Sequence, residues 1–167
     1  MIEELKQSIN DNNIEKSLKL IENIGDEKNE LALPSLLEIL ETTDNNIIRN
    51  QVALALSDIG NSSAVDLIIK MILSPKTQRS RGTLMYSLRN LEYTDHLKLF
   101  ITLLSDRSFE VSREAFTLLE SNCKNISNTY KTELLHLIQE ELELVNDRLD
   151  LLNDAYELYL ENDDENV

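Results

Sequence analysis

A chain of 167 residues with three Gly, two Pro, no Trp and a formal net charge of −15 has too few turn residues for a strand-rich fold and too little basic surface to hold a phosphate backbone. Leu, Glu, Asn, Lys and Ile dominate, which suits helices joined by short turns, and no stretch approaches the roughly 18 apolar residues of a membrane span. The single cysteine, Cys123, excludes an internal disulfide, and the cytoplasm is the expected compartment.

The opening MIEELKQSIN reads as an acidic amphipathic helix, not as a basic region followed by an apolar one, so no signal peptide is expected. Residues 2–24 are expected as a first, shorter helical pair (2–9 and 13–24), with Leu5, Leu20, Ile21 and Ile24 lying 32 residues before Leu37, Val52, Ala53 and Leu56 and Gly25 closing it. The second pair spans 30–59. Leu33, Leu36, Leu37 and Leu40 fall at helical spacing over 30–41. Thr42, Thr43, Asp44 and Asn45 then supply turn and N-cap chemistry. A helix over 46–59 buries Ile48, Val52, Ala55, Leu56 and Ile59, and Gly60 stands where a left-handed C-cap belongs. The third pair, 63–91, is broken at Ser74-Pro75, because proline cannot continue a helix. The fourth, 95–122, turns at Ser105-Asp106-Arg107-Ser108. A last pair (127–161) is expected as helices 127–143 and 146–161, followed by a frayed acidic tail at 162–167.

The first four pairs follow a period of 32 residues, and the last pair loses the register. Adding 32 to Leu33, Leu36, Leu37, Leu40, Arg49, Val52, Leu56 and Ile59 gives Val65, Ile68, Ile69, Ile72, Arg81, Leu84, Leu88 and Leu91. A second step gives Leu97, Phe100, Ile101, Leu104, Arg113, Phe116, Glu120 and Cys123, and only the last two lose apolar character. A fixed period of this size marks stacked supersecondary units rather than a closed globule, with atypical terminal repeats.

The segments ALPSLLEIL, IIRNQVALALSDIG and HLKLFITLLSDRSFEVSREAF resemble the HEAT-repeat family. Its pattern is an apolar first helix, a turn often bearing Asp, then Val-Arg and an Ala/Leu-rich second helix. Ile48-Arg49 matches it, and Asp106 with Val111 and Arg113 matches loosely; the third pair, with Ser80-Arg81-Gly82, lacks the Asp. The likeness covers about residues 30–123, and the ends follow by analogy. It implies an all-α right-handed α-α superhelix (solenoid) of about five two-helix repeats, about ten helices, in one domain over residues 1–161. Short domains of this family serve as scaffolds and adaptors, and some are bacterial immunity proteins, bilin lyases or alkylated-base glycosylases.

Three sets of residues stand out. Arg49, Arg81 and Arg113 lie 32 apart on the flank of the second helices. The resemblance implies a structural ladder, each guanidinium bonding a turn carbonyl or carboxylate of a neighbouring repeat; a row binding carboxylates or phosphates is the other reading. The face of the second helices opposite the buried stripe holds Asn50, Leu54, Ser57 and Asp58, then Gly82, Tyr86, Arg89, Asn90 and Tyr93, then Glu114, Leu118, Ser121 and Asn122. Leu54, Tyr86 and Leu118 again stand 32 apart, an apolar row where water is expected. It is a candidate protein-binding groove, with burial between neighbouring helices as the alternative. In the last helix Asp147, Asp150, Asp154, Glu157 and Glu161 form one acidic stripe, while Leu149, Leu152, Tyr156 and Tyr159 should face the stack. The stripe is either a docking site for a basic protein or the solvated face of a capping helix.

Charge is uneven along the chain. From Glu133 on there are twelve acids and one base, Arg148; residues 66–107 hold seven bases and four acids. That balance repels nucleic acid and attracts basic proteins. Catalytic chemistry has little to stand on. His96 and His136 are each alone in a helix, and HExxH, CxxC and glycine-rich phosphate loops do not occur. Cys123 reads as a packed structural thiol. No catalytic, cofactor-binding or metal-binding residue is nominated, and neither nucleic acid nor membrane is an expected partner. The resulting expectation is a non-catalytic, acidic inhibitor or immunity protein of bacterial origin that neutralises a basic partner such as a nuclease toxin. A scaffold or adaptor in a larger assembly, and an enzyme on nucleic acid or a chromophore, are the alternatives.

Overall fold

A computed structural model describes the backbone of residues 1–164 and the side chains of residues 1–158. Among the described residues the chain is all-α, with no strand. Three helical hairpins come first: α1 (Ile2–Asn10) with α2 (Ile14–Asp26), α3 (Leu33–Thr42) with α4 (Asn46–Ile59), and α5 (Val65–Leu73) with α6 (Gly82–Ser87). Then follow α7 (Leu97–Leu103), α8 (Phe109–Asn122) and α9 (Asn128–Asp164). The helices pack as a helical repeat: α1 on α2, α3 on α4 and α5 on α6 within the hairpins, and α7 on α8 after them.

Asparagine caps mark the repeat at half its period. Asn13, Asn29, Asn45 and Asn61 stand 16 residues apart. Each side-chain oxygen accepts from a backbone N–H at the start of the next helix or 3-10 turn: Lys16 at 3.1 Å, Leu31 at 3.1 Å, Ile47 at 2.9 Å and Ser63 at 3.0 Å. The cap supplies an acceptor to N–H groups that have no partner within the helix. Short 3-10 turns, Glu30–Ala32, Ser62–Ala64 and Thr94–His96, lead into α3, α5 and α7.

The Cα packing gathers the chain into two compact units, Met1–Asp95 and the chain from His96 on. In the first unit the second helices form one layer, with α2 against α4 and α4 against α6, while α3 meets α5 among the first helices. Its core is the stripe set by the period: Leu5, Ile21, Ile24, Leu36, Leu40, Ile48, Val52, Leu56, Ile68, Ile72, Leu84 and Leu88 are all buried. The first hairpin is also fastened by a buried hydrogen bond between the Ser8 and Ser17 hydroxyls at 2.8 Å. Gly60 takes the left-handed conformation (φ 76°) after α4. Gly25 does not close α2, which continues to Asp26; the left-handed residue beyond it is Lys28. Gly25 is instead a contact residue. A Cβ there would lie 3.0 Å from the Cα of Ala55, so its missing side chain is what lets α2 approach α4.

The third hairpin ends early. Its second helix has six residues and passes into a 3-10 turn, Leu88–Asn90. The break at Ser74-Pro75 is a 3-10 turn, where buried Thr77 donates to the carbonyls of Met71 and Ser74.

In the second unit α7 packs on both α8 and α9. α7 keeps the 32-residue register: Leu97, Phe100, Ile101 and Leu103 are buried, as are Val65, Ile68, Ile69 and Met71 in α5. α8 does not. Its buried residues Val111, Ala115 and Leu118 stand 63, not 64, after Ile48, Val52 and Ala55. Phe116, which the period aligns with buried Val52 and Leu84, is 48% exposed, and Cys123 is exposed rather than packed. One residue fewer precedes this helix than the period demands, and one residue turns a helix by about 100°.

The expected last pair is a single helix. No Gly or Pro lies between Asn128 and Asp164, and Asn146-Asp147 costs a helix interior only about 0.7 kcal/mol per residue, too little to stop it. Of the expected frayed tail, residues 162–164 belong to this helix and residues 165–167 lie outside the described residues.

Candidate protein-binding surfaces

The three period-related arginines have three different surroundings. Arg49 is fully buried. Its Nη2 donates to the Thr43 carbonyl at 2.5 Å and its Nη1 to Oδ1 of Asn46. It thus ties the turn of its own hairpin, where the sequence pointed to a neighbouring repeat. Burial lowers its pKa and the Asp44 charge opposes that; arginine stays protonated throughout. Arg81 is half-buried. Arg113 is exposed, with its guanidinium 5.9 Å from the ring centre of Phe116. The one-residue offset of α8 explains the difference: Val111 takes the place of Ile48, so Arg113 falls where Asn50 does and not where Arg49 does.

The same offset dismantles part of the expected groove. Leu118 aligns with Ala55 and is 0% exposed, inside the second unit. Glu114 is half-buried. Tyr93 is also buried, at 3%. The helical turn that carries Tyr86 and Arg89 has ended at Asn90, so Tyr93 no longer follows their face. What remains accessible in the first unit is a smaller patch on α4 and α6. Tyr86 is half-exposed, and the Arg89 guanidinium lies 4.4 Å from its ring centre. Asp58 is exposed, Leu54 and Asn50 are half-buried, and Oδ1 of Asn50 is a buried acceptor that makes no hydrogen bond. Nδ2 of Asn90 donates to the Ser57 hydroxyl at 3.2 Å and braces the turn after α6 against α4. Tyr and Arg are the residue types that dominate binding energy at interfaces, and here they form one stacked pair.

On α9 the acidic row is laid out as its spacing requires. Asp147, Asp150, Asp154 and Glu157 are all exposed, and no ion pair with them forms among the described residues. Glu161 lies outside the described side chains, as does Tyr159. The row also extends upstream through Glu143 and Glu140, the latter 3.3 Å from Nδ1 of His136. The opposite side differs from expectation. Leu149, Leu152 and Tyr156 are exposed instead of packed on a neighbouring hairpin, because the uninterrupted helix never turns back.

The basic middle of the chain is partly neutralised. Of its seven bases, Lys70, Lys76 and Lys98 pair with Glu41 (2.6 Å), Asp44 (2.7 Å) and Glu133 (2.7 Å). The hydrogen bonds from Lys70 and Lys76, and then their charge, hold Glu41 and Asp44 below the usual carboxylate range. Such pairing leaves fewer cations to meet a phosphate backbone.

Among the described residues no group of three or more His, Cys, Asp or Glu side chains could hold a metal ion, and no helix is long and apolar enough to cross a membrane. The second unit contains an apolar cavity of about 150 Å³ walled by Leu97, Ile101, Leu119, Ile126 and Leu134, with Cys123 also on its lining.

The model of a family described as HEAT repeats matches residues 2–89, just over half of the chain and the whole of the first three hairpins as far as Arg89. The match takes in the first hairpin, which the resemblance covers only by analogy, and stops before α8, whose core is out of register. No curated protein matches the chain.

Proposed function

From the premise that this chain belongs to the HEAT-repeat family, whose repeats commonly mediate protein–protein contact and are typically non-catalytic scaffolds, we propose that it is an inhibitory binding module that neutralises a basic protein. The partner we infer is a nuclease toxin domain, and the chain its bacterial cytoplasmic immunity protein. The observation that carries this reading is the exposed row Asp147, Asp150, Asp154 and Glu157 on a protein of net charge −15. A nuclease cleft must attract phosphate and is therefore basic. An acidic helix laid across it gains a faster association through steering and blocks the substrate's own charge contacts. The test is calorimetric titration of the chain into basic nuclease domains at about 50 and 500 mM salt, with Asp147→Lys/Asp150→Lys/Asp154→Lys in parallel. Binding that inhibits the nuclease, weakens at least tenfold with salt and is lost in the charge-reversed protein supports the reading. Salt-indifferent binding, or none, defeats it.

A second reading, an adaptor in a larger assembly, is favoured by the Arg89–Tyr86 stack on the first unit. In that case Tyr86→Ala abolishes capture of the partner and charge reversal on α9 leaves it intact.

A further inference from the structure

α9 is amphipathic in a way the acidic row alone does not reveal. Leu142, Val145, Leu149, Leu152 and Tyr156 follow one another at steps of 3, 4, 3 and 4 residues, and Leu135 and Ile138 extend the pattern upstream. Apolar residues alternating at three and four form the seam by which helices pair as coiled coils. Upstream the helix uses its apolar side within its own unit: Leu134 is buried, Ile138 is half-buried, and both line the apolar cavity with Leu97 and Ile101. From Leu142 on, the five seam residues are 44–68% exposed; Leu144, Leu151 and Leu158, also exposed, lie outside the seam, between its Arg148 edge and the acidic row. A contiguous apolar face of this extent exceeds what an isolated protein ordinarily leaves in water.

Charge placement says what can cover it. Glu143, Asp147, Asp150, Asp154 and Glu157 all lie on the far side of the helix from the seam. The positions flanking the seam are Asn146 and Asn153 on one edge and Arg148 and Ala155 on the other, so the sole base after Lys131 sits at the seam. The one carboxylate on that edge upstream, Glu141, accepts from the Ser105 hydroxyl at 3.2 Å inside its own unit. An equally acidic helix can therefore lie along the seam without opposing a carboxylate to a carboxylate. A basic partner is drawn to the other side. The seam Leu142–Tyr156 runs for about four helical turns, a continuous strip of the kind along which coiled-coil helices pack.

We propose that this face is the contact between two copies of the chain, which pair α9 against α9 along Leu142–Tyr156. The acidic rows then point outward on both sides of the pair, free for a separate partner.

Sedimentation equilibrium of the full chain between about 1 and 100 µM tests it. The expected result is a shift to twice the 19.2 kDa chain mass, undiminished at high salt because only like charges are being screened. Leu149→Asp/Leu152→Asp should weaken the dimer at least about 100-fold, and at concentrations where the wild type is itself monomeric it should leave helix content and melting temperature unchanged. Asp150→Lys/Asp154→Lys, on the opposite side, should leave the dimer intact. The proposal is overturned by a monomer at 100 µM, by a dimer indifferent to the leucine substitutions, or by one lost on charge reversal. A monomer that Leu149→Asp/Leu152→Asp destabilises also overturns it, since the face would then be covered from within the chain.

Discussion

The guanidinium of Arg49 donates to the carbonyl oxygen of Thr43 across the turn between α3 and α4, and it does so from a fully buried position. A charge held there satisfies a carbonyl at the C-terminal end of α3 and fixes the angle at which α4 departs. Removing it leaves that carbonyl and Asn46 without their donor. Arg49→Ala should destabilise the first unit by about 2–4 kcal/mol in urea denaturation, and Arg49→Lys should recover only part because lysine cannot fork between two acceptors. Arg113→Ala, at the exposed site one residue out of register, should change stability by less than about 0.5 kcal/mol. Equal effects of the two would contradict the separation drawn between them.

The offset of α8 makes a sharper contrast. The 32-residue period nominates Phe116 as core and Leu118 as surface, while the structure buries Leu118 and exposes Phe116. Leu118→Ala should cost about 2–4 kcal/mol and Phe116→Ala about 1 kcal/mol or less, both read from denaturation midpoints. The reverse order would show that α8 keeps the period after all.

Gly25→Ala sets two effects against each other. Alanine favours a helix interior over glycine by about 1 kcal/mol, but its Cβ meets the Cα of Ala55 at 3.0 Å. Backbone of a packed helix cannot give way as a flexible side chain can. The net effect should be a loss of about 1–2 kcal/mol, and Gly25→Leu should prevent α2 from docking on α4. A stabilised Gly25→Ala protein would mean that the two helices slide apart freely.

The Lys–carboxylate pairs give a weak pH dependence of known sign. Glu41 and Asp44 have folded pKa values below their unfolded values near 4. Their contribution is therefore present above pH of about 4 and lost as pH falls through the lowered folded values. Lys70→Ala/Lys76→Ala should flatten the fall in melting temperature between about pH 5 and 3, while shifting the melting temperature at pH 7 by only about a degree or two, since exposed pairs contribute little. An unchanged acid slope would show that other carboxylates govern it.

Tyr86→Ala tests the patch on the first unit. The ring is half-exposed and stacked by Arg89, a contact of about 0.5–1 kcal/mol at such a site. Melting should change little. A large loss of stability would mark Tyr86 as a packing residue and remove it from any binding surface.

Much of the architecture can be read directly from the residues. Leu36, Leu40, Val52, Leu56, Ile68, Ile72, Leu84 and Leu88 are buried where helical spacing and the 32-residue period place them. α4 begins after Asn45 and ends before Gly60, and the Ser74-Pro75 break falls where proline requires it. These are local properties: a cap, a left-handed glycine and a stripe at 3.6 residues per turn act within a few residues of themselves. The candidate sites were less legible. The acidic row needed only one helix, and its side chains as far as Glu157 are exposed. The groove depended on extrapolating one face through three hairpins, and it lost Tyr93 and Leu118.

What the sequence determined alone is therefore the helices of the first three hairpins, the Asn45 and Gly60 caps of α4, and the faces that must leave water there. Tertiary structure decided the rest. It chose which of two adjacent faces α8 turns inward, because Val111/Ala115/Leu118 and Phe116/Leu119/Cys123 are both apolar enough to be buried and only packing against α7 selects between them. It made Gly25 a point of close approach rather than a cap, because that depends on a residue 30 positions away, Ala55. It also carried α9 straight past Asn146, because helix propensity there is nearly neutral and only a surface to fold back upon could have paid for a turn.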